Sequence, residues 1–256
     1  MPRKKSPMSA ATPESYEIQG QQVTFPVNVR DASGAIAGFL VSSKVANRLV
    51  GDAFEVVDFL PGRTIMMLGC IDYKDNDLGD YNEVAINFFV RQKGASKGIP
   101  WLGAWLAMMG KGESLSSYSW KMPVNQSFTR DAGAIIWGFP KTVERIDFDY
   151  SNEGRLRGYL EMDGKKVFEI DLPCVGDKDR PASPMKGYTY IEGVPHSVSS
   201  TTTSSQMGAG GGKDVDITLG DHPIADELRA LGLPKKPLMT TWVGKMVMEF
   251  GPPEKL

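Results

Sequence analysis

The stretch RIDFDYSNEGRLRGYLEMDGKKVFEIDL, residues 145–172, decides the fold class. Ile146, Phe148 and Tyr150 alternate with Arg145, Asp147 and Asp149, the two-residue period of a strand with one wet face. Leu156–Glu161 and Lys166–Leu172 then flank Met162-Asp163-Gly164-Lys165. An Asp-Gly pair between two strand-like runs selects a tight hairpin turn, because both central positions take positive φ.

Outward from this hairpin, short runs rich in Val, Ile, Thr and aromatics predict further strands at Tyr16–Ile18, Gln22–Val29, Phe54–Leu60, Thr64–Tyr73, Glu83–Val90, Tyr118–Val124, Gly187–Gly193, Val215–Leu219 and Thr240–Phe250. Helical spacing predicts Lys44–Val50 stopped by Gly51, Thr129–Ile136 ending at Gly138, and Asp221–Leu231 with Asp221 as N-cap and Gly232 as stop. Trp101–Met109 is apolar throughout and fits a buried helix or a lid. Residues 197–213, rich in Ser, Thr and Gly, are expected to be a mobile surface loop. Residues 1–13 are expected to be a flexible arm, leaving 14–256 as one domain. The reading is mainly β (a β-rich α+β chain): a single domain in which closing the sheet into a barrel removes its edges.

The 256 residues carry 29 Lys+Arg against 31 Asp+Glu, a formal charge of -2, which argues against nucleic acid as the main partner. With only 2 Cys and 2 His, the chain has no zinc spacing and no disulfide framework, which disfavours a transition metal. Acid–base chemistry must then rest on Lys, Glu, Asp or Tyr. Met1–Lys5 is basic, but no apolar run follows it, and no run is long enough to span a bilayer; the expected location is the cytoplasm, with no membrane partner.

Three motifs invite chemistry. Gly208–Lys213 lacks the hydroxyl residue a phosphate loop needs after its Lys, since Asp214 stands there. Gly94-Ala95-Ser96-Lys97-Gly98 matches Gly-x-Ser-x-Gly, but only His196 and His222 are available as base. Trp137-Gly138-Phe139-Pro140-Lys141 places a Lys after Phe-Pro and an apolar run. Desolvation there lowers an amine's pKa towards the neutral nucleophile of Schiff-base chemistry, while the plainer alternative is a strand-end Lys that snorkels to solvent.

These residues resemble the acetoacetate decarboxylase family. The match runs through Arg130-Asp131-Ala132-Gly133, Ile136–Lys141, Leu78-Gly79-Asp80-Tyr81-Asn82-Glu83 and a tail from Asp221-His222 to Phe250-Gly251-Pro252-Pro253-Glu254. The resemblance implies a cone-shaped β-barrel with a few peripheral helices and homo-oligomeric assembly. It implies Lys141 as the imine-forming residue, Glu83 as an active-site carboxylate, and Trp137, Phe139 and Met122 as apolar walls. An N-terminal Arg of the family site has Arg30 as its nearest counterpart. The chain departs from the pattern in three places. Thr142 stands where the family's best-studied decarboxylases have a second Lys, Leu68 falls where a second carboxylate is expected, and Ala134-Ile135 replaces an Arg-Glu pair. The implied activity is decarboxylation of acetoacetate or a related β-keto acid through a Schiff base on Lys141, an imine that needs no metal or organic cofactor. The alternatives are an aldolase-dehydratase using the same Lys on pyruvate-like substrates, a Ser96 hydrolase, or a non-catalytic barrel that binds a small acid.

Overall fold

At the tip of the 145–172 hairpin, Asp163 and Gly164 both have positive φ, 52° and 69°, as the Asp-Gly pair requires. The structure, a computed structural model, describes residues 15–95, 100–108 and 115–256. Along the chain lie β1 (Ser15–Ile18), β2 (Gln21–Thr24), β3 (Val27–Ser42), α1 (Ser43–Ala46), β4 (Phe54–Val56), β5 (Arg63–Asn76), β6 (Tyr81–Gln92), α2 (Pro100–Met108), β7 (Ser116–Lys121), α3 (Ser127–Trp137), β8 (Arg145–Asp149), β9 (Arg155–Met162), β10 (Lys165–Pro173), β11 (Lys178–Ile191), β12 (Val194–Gly210), β13 (Asp216–Leu219), α4 (Pro223–Leu231) and β14 (Met239–Lys255).

Seven strands close a barrel in the order β6-β5-β3-β14-β12-β11-β7, with β7 pairing back onto β6 and β4 attached outside the ring, also on β6. All pairs in the ring are antiparallel except β11–β7. A separate sheet, β13-β10-β9-β8, carries the opening hairpin and packs on the barrel's outer face. Strands hold 59% of residues and helices 13%, so the mainly β, single-domain reading holds.

Side-chain parity then separates wall from cavity. On β6, Val84, Ile86 and Phe88 point outward and pack against Leu156, Leu160, Phe168 and Ile170 of the second sheet. The alternate residues Tyr81, Glu83, Ala85 and Asn87 point into the barrel. On β3 a pair of register shifts near Asp31 switches the faces. Val27 and Val29 therefore face inward, whereas Ala35, Ala37 and Phe39 face the second sheet.

Several expectations need correction. The 197–213 run is not a loop: residues up to Gly210 belong to β12, which pairs with both β11 and β14. Its Thr and Ser side chains suit a barrel wall, with Ser197 and Thr202 buried. Gln22–Val29 is broken at Phe25-Pro26 into β2 and β3. The helix expected over Lys44–Val50 is shorter, since α1 ends at Ala46, well before Gly51. The N-cap of α4 is His222, not Asp221: its Nδ1 accepts from Ile224 N at 3.1 Å, with Pro223 as first helical residue. Within the Trp101–Met109 stretch, the described residues 101–108 are helical, in α2, which sits outside the barrel, where Trp105 Nε1 donates to Phe59 O. No described side chain of α2 lines the cavity below. The 1–13 arm and Ser96 lie outside the described residues. Among the described residues no helix is long and apolar enough to cross a membrane.

Candidate active site

The segment that follows α3 sets the geometry. Helix α3 ends at Gly138, whose φ of 67° lies in the left-handed region, and its N–H bonds back to Ala134 O. A side chain there would collide with the Tyr190 carbonyl at 2.2 Å, so both the turn and the close approach require glycine. Thr189 Oγ1 donates to Gly138 O and fastens this turn to β11. Beyond it, Met122 N donates to Pro140 O and Val124 N to Thr142 O. Residues 122–124 are themselves held on β6, since Val84 N donates to Pro123 O and Glu83 is bridged to Val124. This strap lays Lys141 against the inward face of β6.

Lys141 Nζ consequently lies 2.9 Å from Glu83 Oε2, with side chains 4% and 2% exposed. Nζ also donates to Thr129 Oγ1 of α3 at 3.2 Å and sits 4.9 Å from the Tyr81 ring centre. Tyr81 thus neighbours both Lys141 and Thr129. Tyr73 stacks on Tyr81 at 4.5 Å. Burial, assisted by the Glu83 charge, pushes the Tyr73 hydroxyl's pKa well above its ordinary value, and burial likewise raises that of Tyr81. Both phenols are thus neutral at pH 7.

The direction at Lys141 departs from the expectation of a desolvated neutral amine. Burial does act to lower its pKa, but the Glu83 carboxylate and the Tyr81 hydroxyl outweigh it and hold the value above the ordinary 10.5. Lys141 therefore rests as the ammonium. Thr142, in the place of a second Lys, supplies no opposing positive charge.

These residues line a cavity of about 180 Å³ inside the barrel. Trp137, Phe139 and Met122 form apolar parts of its wall. Trp137 stacks on Phe139 at 5.7 Å and donates from Nε1 to Gly251 O, so its orientation is fixed. The structure thus brings Lys141, Glu83, Trp137, Phe139 and Met122 to one chamber.

Arg30 is not among them. Its exposed guanidinium is held by Asp75 at 2.7 Å and Asp77 at 2.6 Å, and it does not line the cavity. The cavity's second cation is the exposed Lys186 of β11. Leu68 also falls elsewhere: it pairs with Ile86, faces the outer sheet and is fully buried there. Neither His196 nor His222 lines the chamber. Sequence reasoning missed Tyr73, Tyr81 and Thr129. Tyr81 had a usable signal, because it stands two residues before Glu83 and so shares its face.

Gly133 lay within the quoted motif without a role. A Cβ at this position would stand 2.6 Å from Lys141 Cδ and 2.8 Å from Cε. Glycine inside a helix costs about 1 kcal/mol relative to alanine, and here the missing methyl leaves the channel through which Lys141 extends. Gly133→Ala is expected to displace Nζ and lower kcat/KM on the order of 10²-fold while the circular-dichroism melting curve changes little. Full activity in that variant would show that Lys141 does not need this groove.

The acetoacetate decarboxylase family model matches residues 8–252. No curated protein matches the chain. Among solved structures, an acetoacetate decarboxylase from Legionella pneumophila is 14% identical with a TM-score of 0.62, covering 99% of this chain and 93% of its own. The enduracididine biosynthesis enzyme MppR, complexed with the condensation product of pyruvate and imidazole 4-carboxaldehyde, is 16% identical with a TM-score of 0.63, covering 97% and 98%. An acetoacetate decarboxylase-like enzyme from Sphingomonas wittichii RW1 is 16% identical with a TM-score of 0.57, covering 93% and 96%.

Proposed function

Because the chain belongs to the acetoacetate decarboxylase family, we propose that it is a carbon–carbon lyase that decarboxylates acetoacetate or a related β-keto acid through an imine on Lys141. The observation that carries this reading is the buried Lys141–Glu83 pair, 2.9 Å apart and lining the barrel cavity. A Lys and a carboxylate at this distance can exchange one proton without solvent.

The steps follow from that pair. As substrate displaces water, Glu83 takes a proton from Lys141 Nζ, and the neutral amine adds to the ketone carbon. Glu83 returns the proton to the carbinolamine hydroxyl, which leaves as water, and an iminium remains. The bond to the carboxylate breaks, carbon dioxide departs, and the bonding electrons pass into the iminium to give an enamine. Protonation at carbon and hydrolysis then release a methyl ketone and free the amine. The apolar wall of Trp137, Phe139 and Met122 disfavours the carboxylate's charge in the ground state, a charge that the departing carbon dioxide lacks. Exposed Lys186 at the mouth supplies the attraction for an incoming anion that Arg30, tied up in its own ion pairs, does not. The same membership is the ground for taking a homo-oligomer as the working form.

A second reading keeps Lys141 but condenses a pyruvate-like enamine with an aldehyde and then dehydrates the product. It is favoured by the fold shared with MppR, whose structures hold pyruvate and such a condensation product.

Borohydride reduction in the presence of acetoacetate, and separately of pyruvate, followed by peptide mapping, tests both. The expected result is an adduct on the Lys141 peptide. Carbon dioxide release then separates decarboxylation from condensation. No adduct with either acid between about pH 6 and pH 9 would overturn the imine reading.

A further inference from the structure

The chamber extends well past the Lys141–Glu83 pair. Asn87 stands four residues beyond Glu83 on the same inward face of β6 and also lines the cavity. At ~3.4 Å per residue the two Cα atoms are about 14 Å apart, further than a four-carbon keto acid bound at Lys141 can reach. Between them the inward residue is the small Ala85, which leaves the path open. Strand β7 sets Ser119 directly opposite Asn87 and Ser117 one inward position further on, and both line the cavity.

The Asn87 Oδ1 is buried and has no hydrogen-bond partner among the described residues. An amide carries an acceptor and two donor hydrogens, and a buried polar atom left unpaired is costly to the fold. An amide and two hydroxyls gathered at one end of a largely apolar chamber suit a ligand group that both donates and accepts.

We propose that Asn87, with Ser117 and Ser119, recognises a hydroxyl or amide at the far end of a keto acid longer than acetoacetate. The assignment rests on Lys141 as the imine-forming end. The cavity then measures its substrate between two points: a reacting carbonyl at Lys141 and a hydrogen-bonding terminus at Asn87.

The test is a series of 3-oxo acids of increasing length, each made with a terminal hydroxyl and with a terminal methyl, assayed on the wild-type chain and on Asn87→Leu. In the wild type the hydroxyl member is expected to be preferred in kcat/KM, on the order of tenfold, once the tail is long enough to reach Asn87. In Asn87→Leu the methyl member becomes the better substrate. Calorimetric binding of the matching 3-hydroxy acids, which form no imine, is expected to show the same preference and its loss. No hydroxyl preference at any length in the wild type overturns the proposal, and that result needs no variant to fold. A preference unchanged in Asn87→Leu overturns it too, since water would then suffice for the amide. Borohydride trapping separates the two readings. Adducts without a hydroxyl preference refute the Asn87 site alone. A calorimetric preference without any adduct refutes the imine and leaves Asn87 as a binding site.

Discussion

Lys141→Arg is expected to abolish turnover, on the order of 10⁴-fold or more, and to eliminate the borohydride adduct, while the chain melts within a few degrees of the wild type. Arginine is the informative choice because of what surrounds the position. Glu83 is buried beside Nζ, 1% exposed as a residue, and Lys141 is the cation that faces it. Alanine would leave that carboxylate buried and unpaired, at a cost of about 3–5 kcal/mol, and lost activity would then be confounded with lost fold. A guanidinium keeps the ion pair, but it does not deprotonate near neutral pH and cannot form the imine. Activity and stability therefore part company only if the amine itself reacts. A Lys141→Arg variant that retained turnover or still trapped substrate would refute the assignment directly.

How much of this was legible in the sequence depended on which faces each strand buries. The 145–172 hairpin was readable because one face is wet: alternation and Asp163-Gly164 survive in the composition. Strand β3 was not read beyond Val29, because Ala32, Ala35, Ala37 and Phe39 are all buried and the register shifts near Asp31 interrupt the period. Strand β12 was mistaken for a loop since Ser and Thr were read as surface residues. In a barrel, however, they form wall and cavity lining, as Val198, Ser200 and Thr202 do at alternate positions. The same parity bears on the family's second carboxylate, which falls on Leu68 here. Counting fifteen positions back from Glu83 reaches Leu68, but Leu68 pairs with outward-facing Ile86, whereas Glu83 itself pairs with Ile71. A shift of one residue exchanges core for cavity, and sequence distance alone carries no such information. Arg30 failed for a different reason: Asp75 and Asp77, on and just after the adjoining strand β5, reach it and neutralise it. The protonation state of Lys141 was equally hidden. Phe139-Pro140-Lys141 announces a dry position, but the partner that reverses the effect of dryness lies 58 residues earlier, at Glu83.

That reversal makes Glu83→Gln the sharper experiment. In the wild type, burial pulls the amine's pKa down while the Glu83 charge and hydrogen bond, with Tyr81, push it up, and the net direction is upward from 10.5. Glutamine is nearly the same shape and removes the charge, so burial gains ground and the Lys141 pKa falls. For an amine below its pKa the neutral fraction grows as pH rises towards that value. At a fixed pH between about 7 and 9 the variant therefore holds more neutral amine than the wild type. Its Lys141 is expected to react faster with a small electrophile such as trinitrobenzenesulfonate, with the inflection of that reaction at lower pH. Turnover is expected to move the other way and fall on the order of 10²-fold, because no carboxylate remains to carry the proton from Nζ to the carbinolamine hydroxyl. A role limited to holding Lys141 in place would shift both rates together. Opposite movement of labelling and turnover is what a proton-transferring Glu83 requires, and parallel loss of the two would reduce it to a positioning residue.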